Sequence, residues 1–215
     1  ALRSAGAAVL ATDLVLQGEV STAFCNVRPP GHHAERAACM GFCFFNNVAV
    51  GIRHALDVHG LERVALIDFD VHHGNGSEDI FQGDERVLMC SILESGIYPF
   101  SGDNAKGPNM VNVGLPSRSG SDAFRAAVTN QWVPALDAFA PELIYVSAGF
   151  DGHREDDMGN LGLVDADYEW VTQQIMAVAQ RHSKGRVISC LEGGYALNPL
   201  ARSVAAHVKV LIGAD

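Results

Sequence analysis

Residues 64–76 read VALIDFDVHHGNG. The first four are an apolar run of strand length, and from Asp68 onward ionisable side chains alternate with Phe69 and Val71. In extended chain, residues at i, i+2 and i+4 project to one side, so Asp68, Asp70 and His72 converge while Phe69 and Val71 face the other way. A strand this apolar has no wet face, which is the mark of a parallel sheet covered on both sides. Similar runs at 22–27, 87–92, 143–147 and 186–191 join 64–69 as strand candidates. They alternate with amphipathic stretches at 4–17, 46–58, 121–139, 166–182 and 199–212. The alternation predicts an α/β fold: a mainly parallel sheet between two helical layers, α/β/α, with any ligand site at the C-terminal ends of the strands. Pro134 is expected to kink or split the third helix, and Asn198-Pro199 reads as an N-cap followed by proline at the first helical position. Segments 93–120 and 150–165 read as long irregular loops, and five strands leave an unpaired sheet edge.

A length of 215 residues fits one domain. Hydrophobic residues make up 48% and charged ones 19%, ordinary globular usage that excludes a disordered or collagen-like chain. Against 25 Asp and Glu stand 15 Lys and Arg, and the net charge of −10 is the wrong sign for a broad face that holds nucleic acid or anionic lipid. Cys25, Cys39, Cys43, Cys90 and Cys190 are odd in number and contain no CxxC pair, which points to a reducing compartment. No apolar run approaches the roughly 18 residues of a membrane span, and the opening residues lack the apolar centre of a signal peptide, so a cytoplasmic protein is expected.

The residues just after the strands carry the chemistry. The first strand runs into Arg28-Pro29-Pro30-Gly31-His32-His33, the second into the Asp70 and His72 segment, the fourth into Gly149-Phe150-Asp151, and the fifth into Glu192-Gly193-Gly194-Tyr195. Asp70 and His72, joined by Asp151 from another strand, form a one-His, two-carboxylate set that leaves positions open for water and substrate, as a catalytic Zn²⁺ or Fe²⁺ site requires. The bland alternative is that these carboxylates cap turns and that His73 is a satisfied core histidine; three groups on one side plus Asp151 favour metal. The stiff Pro-Pro-Gly turn sets His32 and His33 at one place, which suits acid and base work near neutrality. Two glycines before Tyr195 let the backbone approach a ligand closely, so that its hydroxyl could serve a carbonyl oxygen.

Five stretches in this order, NVRPPGHHAE, GFCFFNN, DFDVHHGNG, SAGFD and LEGGY, spread over residues 22 to 201 or so, resemble the zinc-dependent histone deacetylase family of the arginase/deacetylase superfamily. The wording RPPGHHAE with HHGNG is similar to the class II branch and its bacterial histone deacetylase-like amidohydrolases. The resemblance implies Zn²⁺ on Asp70, His72 and Asp151, with Asp68 turned towards His32 and near a structural K⁺ that also takes oxygens from Ser91 and Ile92. It implies His33 as general base and then acid, His32 as its electrostatic partner, and Tyr195 as the hydroxyl that polarises the scissile carbonyl. Asn75 matches the class II pattern beside the second histidine, and Gly41, Phe42, Tyr98, Gly193 and Gly194 match positions of the acyl-lysine channel. Met158 falls where polyamine-selective relatives carry glutamate, although the family's proline is missing from Asp156-Asp157-Met158-Gly159, and the rim segment 93–103 is short.

The implied activity is hydrolysis of the amide of N-acetyl-lysine in proteins or peptides. An acetylpolyamine amidohydrolase is the alternative among enzymes, and a catalytically impaired acyl-lysine-binding module is the alternative among non-enzymes. An arginase-like two-metal site is disfavoured because His153 stands where a second carboxylate is needed. The chain is expected to be a single catalytic domain, 1–215, lacking the N-terminal part of the family's domain, either as a fragment or as a short protein that covers its exposed edge as a homo-oligomer.

Overall fold

The computed structural model describes residues 1–214. Its elements run α1 (Leu2–Leu16), β1 (Thr22–Cys25), α2 (Asn47–Asp57), β2 (Val64–Asp68), α3 (Asn75–Phe81), β3 (Val87–Glu94), β4 (Met110–Leu115), α4 (Ser121–Ala127), a π-helical turn (Val128–Trp132), α5 (Val133–Phe139), β5 (Leu143–Ala148), α6 (Asp165–His182), β6 (Val187–Leu191) and α7 (Leu197–Leu211). One six-stranded sheet has the order β1-β6-β5-β2-β3-β4, and every pairing in it is parallel. β2 lies centrally: β3 and β4 follow it outward on one side, β5, β6 and β1 on the other. The gap between the ends of β2 and β5 is therefore the topological switch point, where open α/β sheets hold their ligands.

Period-2 alternation sorts the core into two layers. Ala65 and Ile67 of β2, Ile144 and Val146 of β5, and Leu88 and Cys90 of β3 face Phe124, Trp132, Leu136, Tyr168, Val171 and Ile175, which come from the α4-to-α6 side. Val64, Leu66, Tyr145, Met89 and Ile188 face the other way, onto Ala8, Ala11 and Val15 of α1 and Val48, Ile52 and Leu56 of α2. The three layers follow from strands whose residues are buried on both faces, as in β2, β3, β5 and β6.

Two local expectations need correction, and one is met in an unexpected form. The sheet has six strands, not five, because residues 110–115 inside the expected irregular segment 93–120 pair with β3 from Met89↔Met110 to Glu94↔Leu115. This edge strand is only partly buried, so its sequence MVNVGL lacks the continuous apolar run of the inner strands. Residues 75–81 are also helical, as α3. The expected third helix, 121–139, is divided as its proline foretells, into α4, the π turn and α5, and Pro134 stands just after the last division. It sits in the first turn of α5, directly after the π turn, where a shift of the backbone ladder absorbs its missing N–H. Asn198 is not the N-cap of α7; the helix begins at Leu197 with Ala196 as cap. The Asp156 carboxylate accepts from the N–H groups of Tyr195 and Ala196, the two residues just before the helix, at 2.7 and 2.8 Å, so a carboxylate from a distant loop fixes the chain's entry into α7 and lies near its N-terminus.

Ile144 is fully buried on the central strand β5. Ile144→Ala is expected to lower unfolding free energy by about 2–5 kcal/mol, read from the shift of a urea unfolding curve.

Candidate active site

Asp68 is the last residue of β2; the extended chain stops there, and a bend over residues 70–72, just past the strand, sets Asp70 and His72 at the carboxyl edge. Asp151 arrives just beyond β5, the neighbour of β2 in the sheet. The two carboxylates meet the imidazole: His72 Nδ1 lies 3.0 Å from Asp70 Oδ1 and 3.2 Å from Asp151 Oδ2. All three residues are buried, and each offers one ligand atom within 4.8 Å of the others. Asp151 Oδ1 accepts from the Val71 N–H at 3.0 Å, and Asp70 Oδ2 from the Gly193 N–H at 2.8 Å. Asp151 Oδ2, by contrast, is buried and takes no hydrogen bond, with the His72 imidazole at 3.2 Å as its close polar neighbour. Such an atom is costly in a dry interior, and a cation is the partner its position suits. A Cβ on Gly193 would overlap the facing oxygens of Asp70 and Asp151, so only glycine lets this backbone lie against the cluster.

The electrostatics favour positive charge here. Burial opposes a charged His72, but Asp151 and Asp70 outweigh it and hold its pKa up at about 11. For Asp151, burial and then the neighbouring Asp70 charge raise the carboxyl to about 6. A divalent ion fits this donor set of one imidazole and two carboxylates, with positions left for exogenous ligands.

His32 and His33 stand beside the cluster with ring centroids 4.0 Å apart. His32 Nδ1 donates to Asp68 Oδ2 at 3.0 Å. Burial works against its charge, yet Asp70, Asp68 and Glu192 raise it to about 10. His33 goes the other way: burial and then the His32 charge pull it down to about 3, so it is neutral at pH 7. Its tautomer follows from Asn75. That amide donates through Nδ2 to Glu35 Oε1 at 2.8 Å, which leaves Oδ1 to accept from His33 Nδ1 at 2.8 Å. His33 Nε2 is thus the bare nitrogen.

Tyr195 packs its ring between the Arg28 guanidinium, 5.6 Å from the centroid, and Phe42, 6.3 Å centroid to centroid. Burial, then Asp70 and Asp151, push its phenol well above the ordinary value, so it keeps its proton as a donor. Tyr98 stands edge-on to His33 and His72 at 5.2 and 6.3 Å. Phe42, Tyr98 and Met158 are exposed. Gly41, at φ +50, runs so close to the His33 ring that a Cβ would strike it. Gly194 faces away from the carboxylates, towards Leu200 and Phe150, while its carbonyl accepts from Arg28 Nη2 at 2.9 Å. Ser91 lies opposite Asp68 in the β2–β3 register, and its buried Oγ has no partner; Ile92 follows it on β3. His73 turns aside, with Nδ1 2.9 Å from Ser101 Oγ.

One residue without an assigned role in the sequence reading organises the edge. Glu192 directly follows β6, fully buried, and its Oε2 accepts from the N–H groups of Gly31 and His32 at 2.6 and 3.1 Å. Oε1 accepts from Ser147 Oγ at 3.0 Å, and the Glu192 carbonyl from Arg28 Nη1 at 2.7 Å. The carboxylate therefore pins the histidine turn to the sheet; burial raises its pKa to about 7. Its signal in the sequence was an acidic residue at a strand end, which names no partner. Glu192→Ala orphans two buried N–H groups, at about 1–3 kcal/mol each. The expected result is a large loss of stability on urea unfolding, with the metal content of the surviving folded protein unchanged.

With this geometry in place, similarity to known proteins is informative. Residues 1–211 match the histone deacetylase domain family. The Type-2 histone deacetylase 2 of Dictyostelium discoideum is 42% identical over 99% of this chain and 14% of its own length. The histone deacetylase-like amidohydrolase of Pseudomonas aeruginosa is 42% identical over 89% of this chain and 52% of its own. The crystal structure of the HDA15 HD domain superposes with a TM-score of 0.90 at 34% identity, covering 98% of this chain and 62% of that one. The chain thus spans less than two thirds of the length of each. Matched over nearly all its residues and carrying the same three-layer fold, the chain belongs to the histone deacetylase domain family.

Proposed function

We propose that this chain catalyses zinc-dependent hydrolysis of the amide of N-acetyl-lysine in proteins or peptides, acting as one catalytic domain in a reducing, cytoplasmic setting. The observation that carries the reading is the meeting, at the switch point of the sheet, of the Asp70, His72 and Asp151 cluster with a neutral His33 whose Nε2 is bare. Family membership supports the deacetylase class, and the five free thiols are consistent with the compartment. Among the described residues no helix is long and apolar enough to cross a membrane.

Zn²⁺, or Fe²⁺ in its place, would be held by Asp70, His72 and Asp151, and supplies Lewis-acid polarisation of a carbonyl and a lowered pKa for water. The protein does the rest. His33 Nε2 takes the proton from the attacking water and later delivers it to the leaving lysine amine, while Asn75 keeps Nδ1 protonated. His32, charged between Asp68, Asp70 and Glu192, steadies negative charge developing beside it. The Tyr195 hydroxyl donates to the developing oxyanion. The exposed rings of Phe42 and Tyr98 offer apolar walls to a lysine stem, and a net charge of −10 draws substrates with basic flanks. Asp68, Ser91 Oγ and Ile92 are the residues for a structural K⁺, a reading supported by the unpartnered buried Ser91 hydroxyl.

His33→Ala is expected to abolish turnover of an acetyl-lysine peptide while metal stays bound; a near-normal rate removes His33 as the base. Tyr195→Phe should lower kcat by about 10²–10³-fold, the usual loss for an oxyanion donor. A chelator should stop the reaction and added Zn²⁺ restore it, with mass spectrometry of the purified protein deciding between zinc and iron. Faster hydrolysis of acetylspermidine than of the peptide would replace lysine by polyamine, and metal binding without turnover of either would leave a binding module.

A further inference from the structure

At the opposite edge of the sheet, a second set of imidazoles meets a carboxylate. α2 starts beside the histidine turn, where Asn47 Nδ2 donates to the Pro29 carbonyl, and runs back over 11 residues, about 16 Å, to the edge where β2 begins. His54 lies in its last turn and His59 just past its end, and both face Asp13 on α1. His54 Nε2 and His59 Nε2 each lie 2.7 Å from the same oxygen, Asp13 Oδ1. The two rings are edge-on with centroids 5.1 Å apart. Among the described residues only two groups bring three such ligand atoms within 4.8 Å of one another; this is one, and the Asp70 cluster is the other.

We propose that Asp13, His54 and His59 form a second divalent-metal site, of the zinc class, that clamps α1 to α2. Docking of these helices does not need the trio, since Ala8, Ala11, Val15, Val48, Ile52 and Ala55 already pack them together. A plain hydrogen-bonded pair would need one imidazole, whereas here two Nε2 atoms from different places in the chain aim at one point. Neither Nδ1 is hydrogen-bonded within the described residues, so each ring can move its proton to Nδ1, facing water, and present the Nε2 lone pair. Zinc arms of about 2.0–2.2 Å give ligand-to-ligand edges of about 3.3 Å, so the trio needs to open by a few tenths of an ångström. The side chains are 20%, 21% and 36% exposed, which leaves room for that adjustment and for water as a fourth ligand. Two imidazoles and one carboxylate suit zinc and the neighbouring ions of its row better than calcium or magnesium.

The site stands independently of the reading of the carboxyl edge, and its test counts metal rather than turnover. In equilibrium dialysis against micromolar free zinc, the 215-residue chain is expected to bind one equivalent more than the His54→Ala/His59→Ala double variant. Its melting temperature should rise with zinc by more than the variant's, since a ligand that binds the folded state stabilises it. Turnover should be equal in the two. Asp13→Asn, which keeps an acceptor oxygen for both rings but not the charge, should bind zinc at this site at least ten-fold more weakly even if the double variant folds poorly. Equal zinc counts and equal zinc-dependent melting shifts in wild type and Asp13→Asn would overturn the proposal and reduce the trio to hydrogen bonds that pin two helices.

Discussion

Four carboxylates, Asp68, Asp70, Asp151 and Glu192, are all but fully buried at one edge of one sheet, and compensating their charge is the constraint on which the rest of the site depends. An unpaired carboxylate in a dry interior is too costly to keep ionised, so each must gather positive charge or N–H donors, or take up a proton. The partners found here share out the task. His32 lies between Asp68 and Asp70, His72 between Asp70 and Asp151, and Glu192 collects two backbone N–H groups. Asp151 Oδ2 is the least compensated oxygen of the four groups, with no hydrogen bond and only the His72 imidazole at 3.2 Å against it.

The same compensation divides the labour of the histidine pair. Burial and then the charge on His32, itself held by carboxylates, depress His33, and a depressed His33 is neutral and able to accept a proton. The order runs from packing to chemistry: the sheet brings four strand ends together, their charges settle the state of His32, and burial together with the His32 charge settles the state of His33. Buried apolar side chains on both faces hold the strand ends in register, so that the edge has little freedom to spread its charges apart. The Asp13 trio lies at the other, more exposed edge, where solvent relieves much of the cost of a charge.

Much of this was legible in the chain. The apolar inner strands, the helices of both layers and the Asp68, Asp70, His72 alternation are local patterns, and local sterics suffice to read them. Edge strand β4 escaped because a half-buried strand carries polar residues such as Asn112, and α3 because its seven residues carry no long period. A proline interior to 121–139 signals a division of that helix, since it costs a hydrogen bond; that the division takes the form of a π turn depends on the packing around Trp132, which no short window of sequence contains.

By itself the sequence determined which residue types stand at the strand ends and, within each strand, which face a residue takes, since extended backbone alternates with period two. Only the tertiary structure decided which atoms meet. Asp151 joins His72 because β5 is the neighbour of β2, Glu192 supports His32 because its strand ends beneath that turn, and His54 and His59 share Asp13 because α1 crosses α2. Those contacts are set by sheet order and helix packing, and the charge states that follow depend on burial and on distances of a few ångströms, neither of which is a property of neighbouring residues along the chain.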